Sequence, residues 1–354
     1  MTLDIFELGR VFGFVFVSFI VAMLITPFVA RILYTYKLGK HIRQDGSTPV
    51  FTKLHLHKAG TPTMGGILIW GTVLILLVIS SAVATIFNGT VLTIFTIEIP
   101  LAQLSFLSRA ETYVPMGALF AAAFIGIADD LMDVFRIGGG LRLRHRLFLY
   151  TALSAFVAWW FAFKLGFDSI AIPFAGDMTI GLWPYFLFVI LVLVATSFSV
   201  NETDGLDGLA GGVLATCFVS FGVLAFIQGR FELAALIAIV IGSLLAFLWF
   251  NVHPARFFMG DTGAMSMGIT LGIVALLTNS ALALPVIGSV LVLESGSVLA
   301  QTVSKKLLKK KIFLSSPLHH HFQAIGWPES KVVMRMWIIS GVSAGAGLVL
   351  ALTL

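Results

Sequence analysis

Two adjacent aspartates, Asp129 and Asp130, close an apolar run that extends from Val114 to Ala128. Stripping a carboxylate of water costs several kcal/mol, so an acid pair placed there points to a need for charge. Asp133 follows one turn later. On a continuing helix it shares a face with Asp129, while Asp130 points about 100° away. The cluster suits a hard cation; its ordinary alternative is a solvated helix end paired with Arg136 or Arg142.

The same placement recurs along the chain. NETDGLDGL, from Asn201 to Leu209, puts Asn201, Asp204 and Asp207 at a spacing of three, which helical geometry would align. NVHPARFFMGDTGA, from Asn251 to Ala264, carries Asp261 at the opening of a helix, where an aspartate is also an ordinary cap. In that string, Phe257 and Phe258 offer rings on which a base could stack. KAGTPTMGG, from Lys58 to Gly66, sets a cation and hydroxyls such as that of Thr63 beside glycines, a combination suited to an anionic ligand. His319, His320 and His321 sit in a basic loop; three consecutive residues cannot all face one ion. Asp129, Asp130, Asp133, Asp204, Asp207 and Asp261, converging with no thiol, favour Mg²⁺ over Zn²⁺, because hard cations prefer oxygen.

These residues must be positioned by membrane helices. The 354 residues are 58% hydrophobic and 11% charged, with a mean hydropathy of +1.02, far from the roughly 25% charged composition of soluble domains. Apolar runs of about 20 residues, each able to cross ~30 Å of hydrocarbon, repeat from end to end. The expectation is one integral membrane domain, 1–354, that is all-α and polytopic. About ten transmembrane helices are expected, near 11–35, 64–85, 113–129, 147–165, 183–200, 208–228, 233–250, 262–278, 283–303 and 332–353. The first lacks a basic leader and a cleavage site and reads as retained. The single cysteine, Cys217, lies in an apolar run and reads as core.

Of the 22 Lys and Arg, only Arg10, Arg109, Lys164 and Arg230 fall outside the loops that follow odd-numbered helices. The positive-inside rule therefore puts those loops, and every motif above, in the cytoplasm, with both termini outside. Residues 86–112 read as an outer loop touching the membrane surface. Residues 170–182, around Ala175-Gly176-Asp177, read as a small β-hairpin on the periplasmic side. The Lys305 to Lys311 run reads as a contact with anionic lipid.

Taken together, GTPTMGG (Gly60 to Gly66), ADD (Ala128 to Asp130), NETDGLDGLAGG (Asn201 to Gly212), FMGDTG (Phe258 to Gly263) and PLHHHF (Pro317 to Phe322) resemble the polyprenyl-phosphate N-acetylhexosamine-1-phosphate transferases. GTPTMGG and the triple histidine select the muramoyl-pentapeptide branch. The resemblance implies a ten-helix homodimer with Mg²⁺ and a cytoplasmic cleft in the bacterial inner membrane. It also implies that UDP-N-acetylmuramoyl-pentapeptide and undecaprenyl phosphate react to UMP and a lipid-linked sugar diphosphate; no nucleic-acid partner is expected. By matching position it implies Asp261 as Mg²⁺ ligand and Asp129 and Asp130 as the acidic pair at the reaction centre. Lys58, Asn201, Asp204, Asp207, Asn251 and Phe258 would surround the nucleotide, with Gln301 and His319 to His321 near the diphosphate and sugar. Arg146 stands where the family usually has lysine, and 86–112 is long for the family. A transporter of lipid or nucleotide sugar is the rival from another class, since polar clusters at broken helices also mark transport paths.

Overall fold

One helix organises the rest. The computed structural model describes residues 5–354 apart from 40–57, 95–96, 110, 136 and 138, so Lys40, Arg43, Lys53 and Arg136 of the charge count lie outside the described residues. Among the described residues, nine helices are long and apolar enough to cross a membrane. They are α1 (Ile5–Thr35), α2 (Ile67–Ile86), α3 (Tyr113–Val134), α4 (Leu143–Trp159, extended by a wider turn to Lys164), α5 (Leu182–Thr203), α6 (Leu209–Ile227), α7 (Phe231–Asn251), α8 (Gly260–Leu277) and α12 (Glu329–Ala351). The stretch expected at 283–303 is helical but broken at Gly288 into α9 (Leu284–Ile287) and α10 (Ser289–Leu307). Buried Glu294 and a closing Lys305-Lys306 make α10 less apolar than the nine. A short α11 (Leu318–Ala324) holds the histidines.

In α8, every residue but Asp261 is buried. It packs against α3 and α5, and small residues make the approach possible. A Cβ added to Gly126 of α3 would lie 2.5 Å from the Thr262 Cα, and one added to Gly268 would lie 2.6 Å from the Ser197 Cα of α5. Close backbone packing of this kind holds helices together where lipid removes the hydrophobic drive. The buried hydroxyls stay satisfied on their own helix: Ser266 Oγ donates to Thr262 O at 2.6 Å and Thr270 Oγ1 to Ser266 O at 2.8 Å.

The hairpin expected around Ala175–Asp177 is present as β3 (Ser169–Ile172) and β4 (Gly176–Thr179), antiparallel with Ser169 opposite Thr179. Asn279, just past α8, bonds both Ala171 N (3.3 Å) and Asp177 Oδ1 (2.9 Å). Hairpin and Asp261 therefore sit at opposite ends of α8, some 27 Å apart at ~1.5 Å per residue. Within 86–112, expected as a loop, the chain forms a second hairpin, β1 (Val91–Ile94) with β2 (Ile97–Pro100). Its alternation is too short, four residues per strand, to stand out from an apolar background.

Candidate active site

Backbone hydrogen bonds bring the distant motifs together. Phe258 N donates to Pro62 O (2.8 Å), Gly65 N to Phe258 O (2.8 Å) and Gly66 N to Met259 O (2.9 Å), so GTPTMGG is laced to FMGDTG. Gly260 turns the chain into α8 at φ +72°, and a Cβ there would lie 2.7 Å from both Asp130 Oδ2 and Thr63 Oγ1. Buried Thr63 thus stands at the entrance to α8. Asp130 reaches the same point, accepting from Asp261 N (3.2 Å) and Thr262 N (3.0 Å). It caps α8 from a neighbouring helix, where a negative charge also meets the positive end of the dipole.

Asp129 points elsewhere, as its 100° offset requires. Its Oδ1 accepts from Leu141 N at 2.7 Å, and its Oδ2 lies 2.6 Å from Arg146 Nη2. The same nitrogen lies 2.6 Å from Asp261 Oδ2. Asn201 closes the group, its Nδ2 donating to Asp261 Oδ1 at 2.5 Å and its Oδ1 accepting from Arg146 Nη1 at 3.2 Å. Four helices, α3, α4, α5 and α8, contribute one side chain each. Two carboxylates from different helices converge on one cationic nitrogen, and the side-chain atoms of the group able to ligate a metal are carboxylate and amide oxygens.

A second cluster lies around Lys58. Its Nζ is 2.6 Å from Asp207 Oδ1 and 2.5 Å from Glu329 Oε1. Asp207 Oδ2 accepts from Ala255 N (3.1 Å) and meets His253 Nδ1 (2.9 Å), and Asp207 N donates to Glu329 Oε1 (2.7 Å). Burial alone would raise the Asp207 pKa, but the hydrogen bond and charge of Lys58, with Ala255 N–H and His253, hold it below its ordinary value. Asn251 fastens the adjoining turns: its Oδ1 accepts from Gly208 N (3.0 Å) and its Nδ2 donates to Phe257 O (2.9 Å). Asp207, His253 and Glu329 bring ligand atoms within 4.8 Å of one another, a grouping able to hold a metal ion, although the Lys58 ammonium already supplies positive charge there.

The six acids grouped from the sequence therefore divide. Helix α5 ends at Thr203, so Asn201 faces Asp261 while Asp207 turns back to Lys58, and the alignment expected from a spacing of three is not formed. Asp204, half-buried, lies in the turn between them. The phenylalanines divide too. Phe257 is buried, stacked 5.9 Å from Phe250, whereas Phe258 is half-buried with Lys58 Nζ 5.9 Å from its ring centre.

The histidine segment closes a third side. His319 is buried against Glu294, Oε2 of which meets its Nδ1 at 2.9 Å. The His320 ring centre lies 4.1 Å from that of His319, and His320 Nδ1 meets Gln323 Oε1 at 3.1 Å. His321 Nδ1 accepts from Leu314 N at 3.3 Å. Gln301 spends both ends of its amide on the 312–313 loop, accepting from Ile312 N (2.9 Å) and Phe313 N (3.0 Å) and donating to Phe313 O (2.9 Å). Glu202 lies within charge range of both His319 and Arg146, which joins this side to the acidic centre.

Comparison with known proteins supplies the family. The model of glycosyl transferase family 4 matches residues 112–279, and signature 1 of phospho-N-acetylmuramoyl-pentapeptide-transferase matches 58–69. A protein of that name from Desulforamulus reducens is 37% identical over 336 residues, 94% of this chain and 93% of its own. Namesakes from Chloroflexus aurantiacus (36% over 351 residues, 95% and 88%) and Clostridium perfringens (36% over 329 residues, 92% and 94%) are similar. The chain belongs to the phospho-N-acetylmuramoyl-pentapeptide-transferase family. That membership sets the transporter reading aside.

Within this transferase, sequence reasoning passed over Glu329 and His253 as members of the Lys58 cluster. Glu329 follows Pro328 at the start of α12 and reads as a helix-opening acid; His253 sat unremarked inside a quoted motif. Trp337 was also missed. Its Nε1 donates to Gly208 O at 3.1 Å, and a tryptophan in an apolar run carries no signal of such a contact.

Proposed function

We propose that this transferase moves phospho-N-acetylmuramoyl-pentapeptide from UDP-N-acetylmuramoyl-pentapeptide to undecaprenyl phosphate, releasing UMP, as the first membrane step of peptidoglycan synthesis. The observation that carries the reading is Asp261: the one unburied residue of a buried central helix, sharing a single cationic nitrogen with Asp129. The positive-inside pattern supports a site on the cytoplasmic face, and the family resemblance supports one membrane domain acting as a homodimer in the bacterial inner membrane.

The nucleophile is an oxygen of the lipid phosphate. It attacks the sugar-side phosphorus in line; the bond from that phosphorus to the bridging oxygen breaks, and its electron pair leaves with UMP. A phosphate monoester has a second pKa near 6, so at pH 7 the acceptor is largely dianionic and needs no general base. Asp129 then serves to hold the charge of Arg146 beside Asp261. Asp130 fixes the N-terminus of α8 and with it the position of Asp261. The all-oxygen donor set fits Mg²⁺, with Asp261 as ligand and Asp129 beside it. When bound, the ion neutralises charge on the diphosphate and the leaving UMP. Arg146 contributes to the same neutralisation. Phe258 and Asn201 border the nucleotide, the Lys58–Asp207 pair and Asn251 shape its wall with Asp204 and Thr63, and His319 to His321, held by the Gln301 loop, face the sugar side.

The test is release of UMP by purified protein in detergent supplied with both substrates and Mg²⁺. Turnover without sealed vesicles is expected. Folded protein that releases no UMP under those conditions would overturn the reaction assigned.

A further inference from the structure

Between the NETDGLDGL turn and the histidine segment lies a contact that no motif explains. Gly205 does not adopt the left-handed backbone region, so its lack of a side chain is not a demand of its φ. The demand is space. A Cβ there would fall 2.2 Å from His319 Nε2, 2.8 Å from Cε1 and 3.3 Å from Cδ2. A flexible side-chain end could swing away from such a clash; this ring cannot do so cheaply. His319 is 0% exposed, and its backbone N (3.2 Å) and ring Nδ1 (2.9 Å) are both held by Glu294 Oε2. On another side stands the His320 ring.

Glu294 is also 0% exposed, on α10. A buried carboxylate is unfavourable unless a partner is bonded to it, and the partner here is His319. Because Nδ1 carries the hydrogen directed at that carboxylate, Nε2 is the nitrogen left over, and it is buried without a hydrogen-bond partner. Buried polar atoms rarely stay unpartnered. This one, like Glu294 Oε1, is such an atom, and it stands beside the turn between Asn201 and Asp207.

We infer that Glu294 and Gly205 are positioning residues for His319: Glu294 fixes which ring nitrogen is free, and the bare backbone of Gly205 leaves room for the ring to stand with that nitrogen against the 201–209 turn, where the sugar-diphosphate part of the substrate is placed by the transferase reading. The inference rests on the transferase reading. Neither residue touches the reacting atoms; both act through the imidazole.

A double-mutant cycle tests this, with turnover read as UMP release under excess enzyme so that slow variants remain measurable. Gly205→Ala adds one methyl group without backbone strain and is expected to lower kcat/KM by about 100-fold, the upper range for loss of an orienting neighbour. In a His319→Ala background, where no ring opposes the methyl, the same change is expected to cost less than about twofold, since residues acting through one contact are not additive. If His319→Ala turns over too slowly to read, His319→Asn, whose shorter side chain also clears the position, replaces it. Glu294→Gln keeps an oxygen for Nδ1 and the backbone N–H and is expected to stay within about tenfold of the parent, whereas Glu294→Leu falls about 100-fold. Thermal unfolding of each variant accompanies the rates. A Gly205→Ala penalty that is equal in both backgrounds, or absent from the parent, overturns the inference; so does Glu294→Leu with near-parental turnover. An inactive parent chain would instead refute the transferase reading.

Discussion

The two charged clusters neutralise their carboxylates in opposite ways. Around Arg146, one guanidinium serves two aspartates and an asparagine, and the exchange is open to ligands: the Arg146 and Asp261 side chains are 21% and 20% exposed. Around Lys58, the ammonium, Asp207 and Glu329 are 10%, 3% and 9% exposed, and both Asp207 oxygens are consumed. A ligand can rearrange the first group at little cost, because a planar fork can release one oxygen and keep another. The second works as a clamp that fastens the 58–66 loop to the turn before α6 and the start of α12. Similar residue types therefore separate into the reactive centre proposed above and a frame for it.

The contrast is broken most severely at Asp261. Asp261→Ala is expected to lower kcat by on the order of 10³-fold, the range for loss of a principal charge-stabilising group. Asp129→Asn is expected to cost far less, about tenfold, because it removes one arm of the Arg146 exchange and no required proton acceptor. Both are read as UMP release at saturating substrates. Should Asp129→Asn be as damaging as Asp261→Ala, Asp129 would be a base and the acceptor's own dianion would be insufficient.

That division was only partly legible in the sequence. The helices were, because 20-residue apolar runs are the strongest periodic signal a chain carries, and so was the gathering of the acid motifs at one end of them. The partition of the acids was not. Asp130 and Asp129 are neighbours in sequence, but the helix turns one to the N-terminus of α8 and the other to Arg146, and only coordinates show which partner waits on each side. Asp207 looked like a third member of the Asn201 row until α5 ended at Thr203. Glu329 lies 122 residues from the Asp207 N–H that it accepts, a distance no local pattern spans. The split of α9 from α10 was passed over although Pro285 and Gly288 stand together near the start of the run.

A smaller effect sharpens the clamp. Lys58→Met leaves buried Asp207 and half-buried Glu329 with, among the described residues, only the exposed His253 imidazole beside them. Removing one partner from a buried ion pair costs about 3 kcal/mol or more, and a loss of that size is expected in unfolding by denaturant in detergent. Adding Glu329→Gln to Lys58→Met should recover part of the loss, since one uncompensated charge disappears. A cost below about 1 kcal/mol for Lys58→Met alone would place the cluster with ordinary surface pairs.

The smallest expected effect is in acid. Because Lys58, Ala255 N–H and His253 hold the Asp207 pKa below its ordinary 3.8, folding favours the ionised form. The unfolded chain, with a pKa near 3.9, takes up a proton first as pH falls. The stabilisation from this carboxylate is thus fully present above about pH 4 and is lost only as pH drops through the lower folded-state value. Measured against Asp207→Asn, the gap in melting temperature should stay constant from about pH 8 to pH 5 and begin to close only below about pH 4. A gap that instead widened as pH fell from pH 6 to pH 5 would mean that burial outweighs Lys58, so that folding favours the protonated acid.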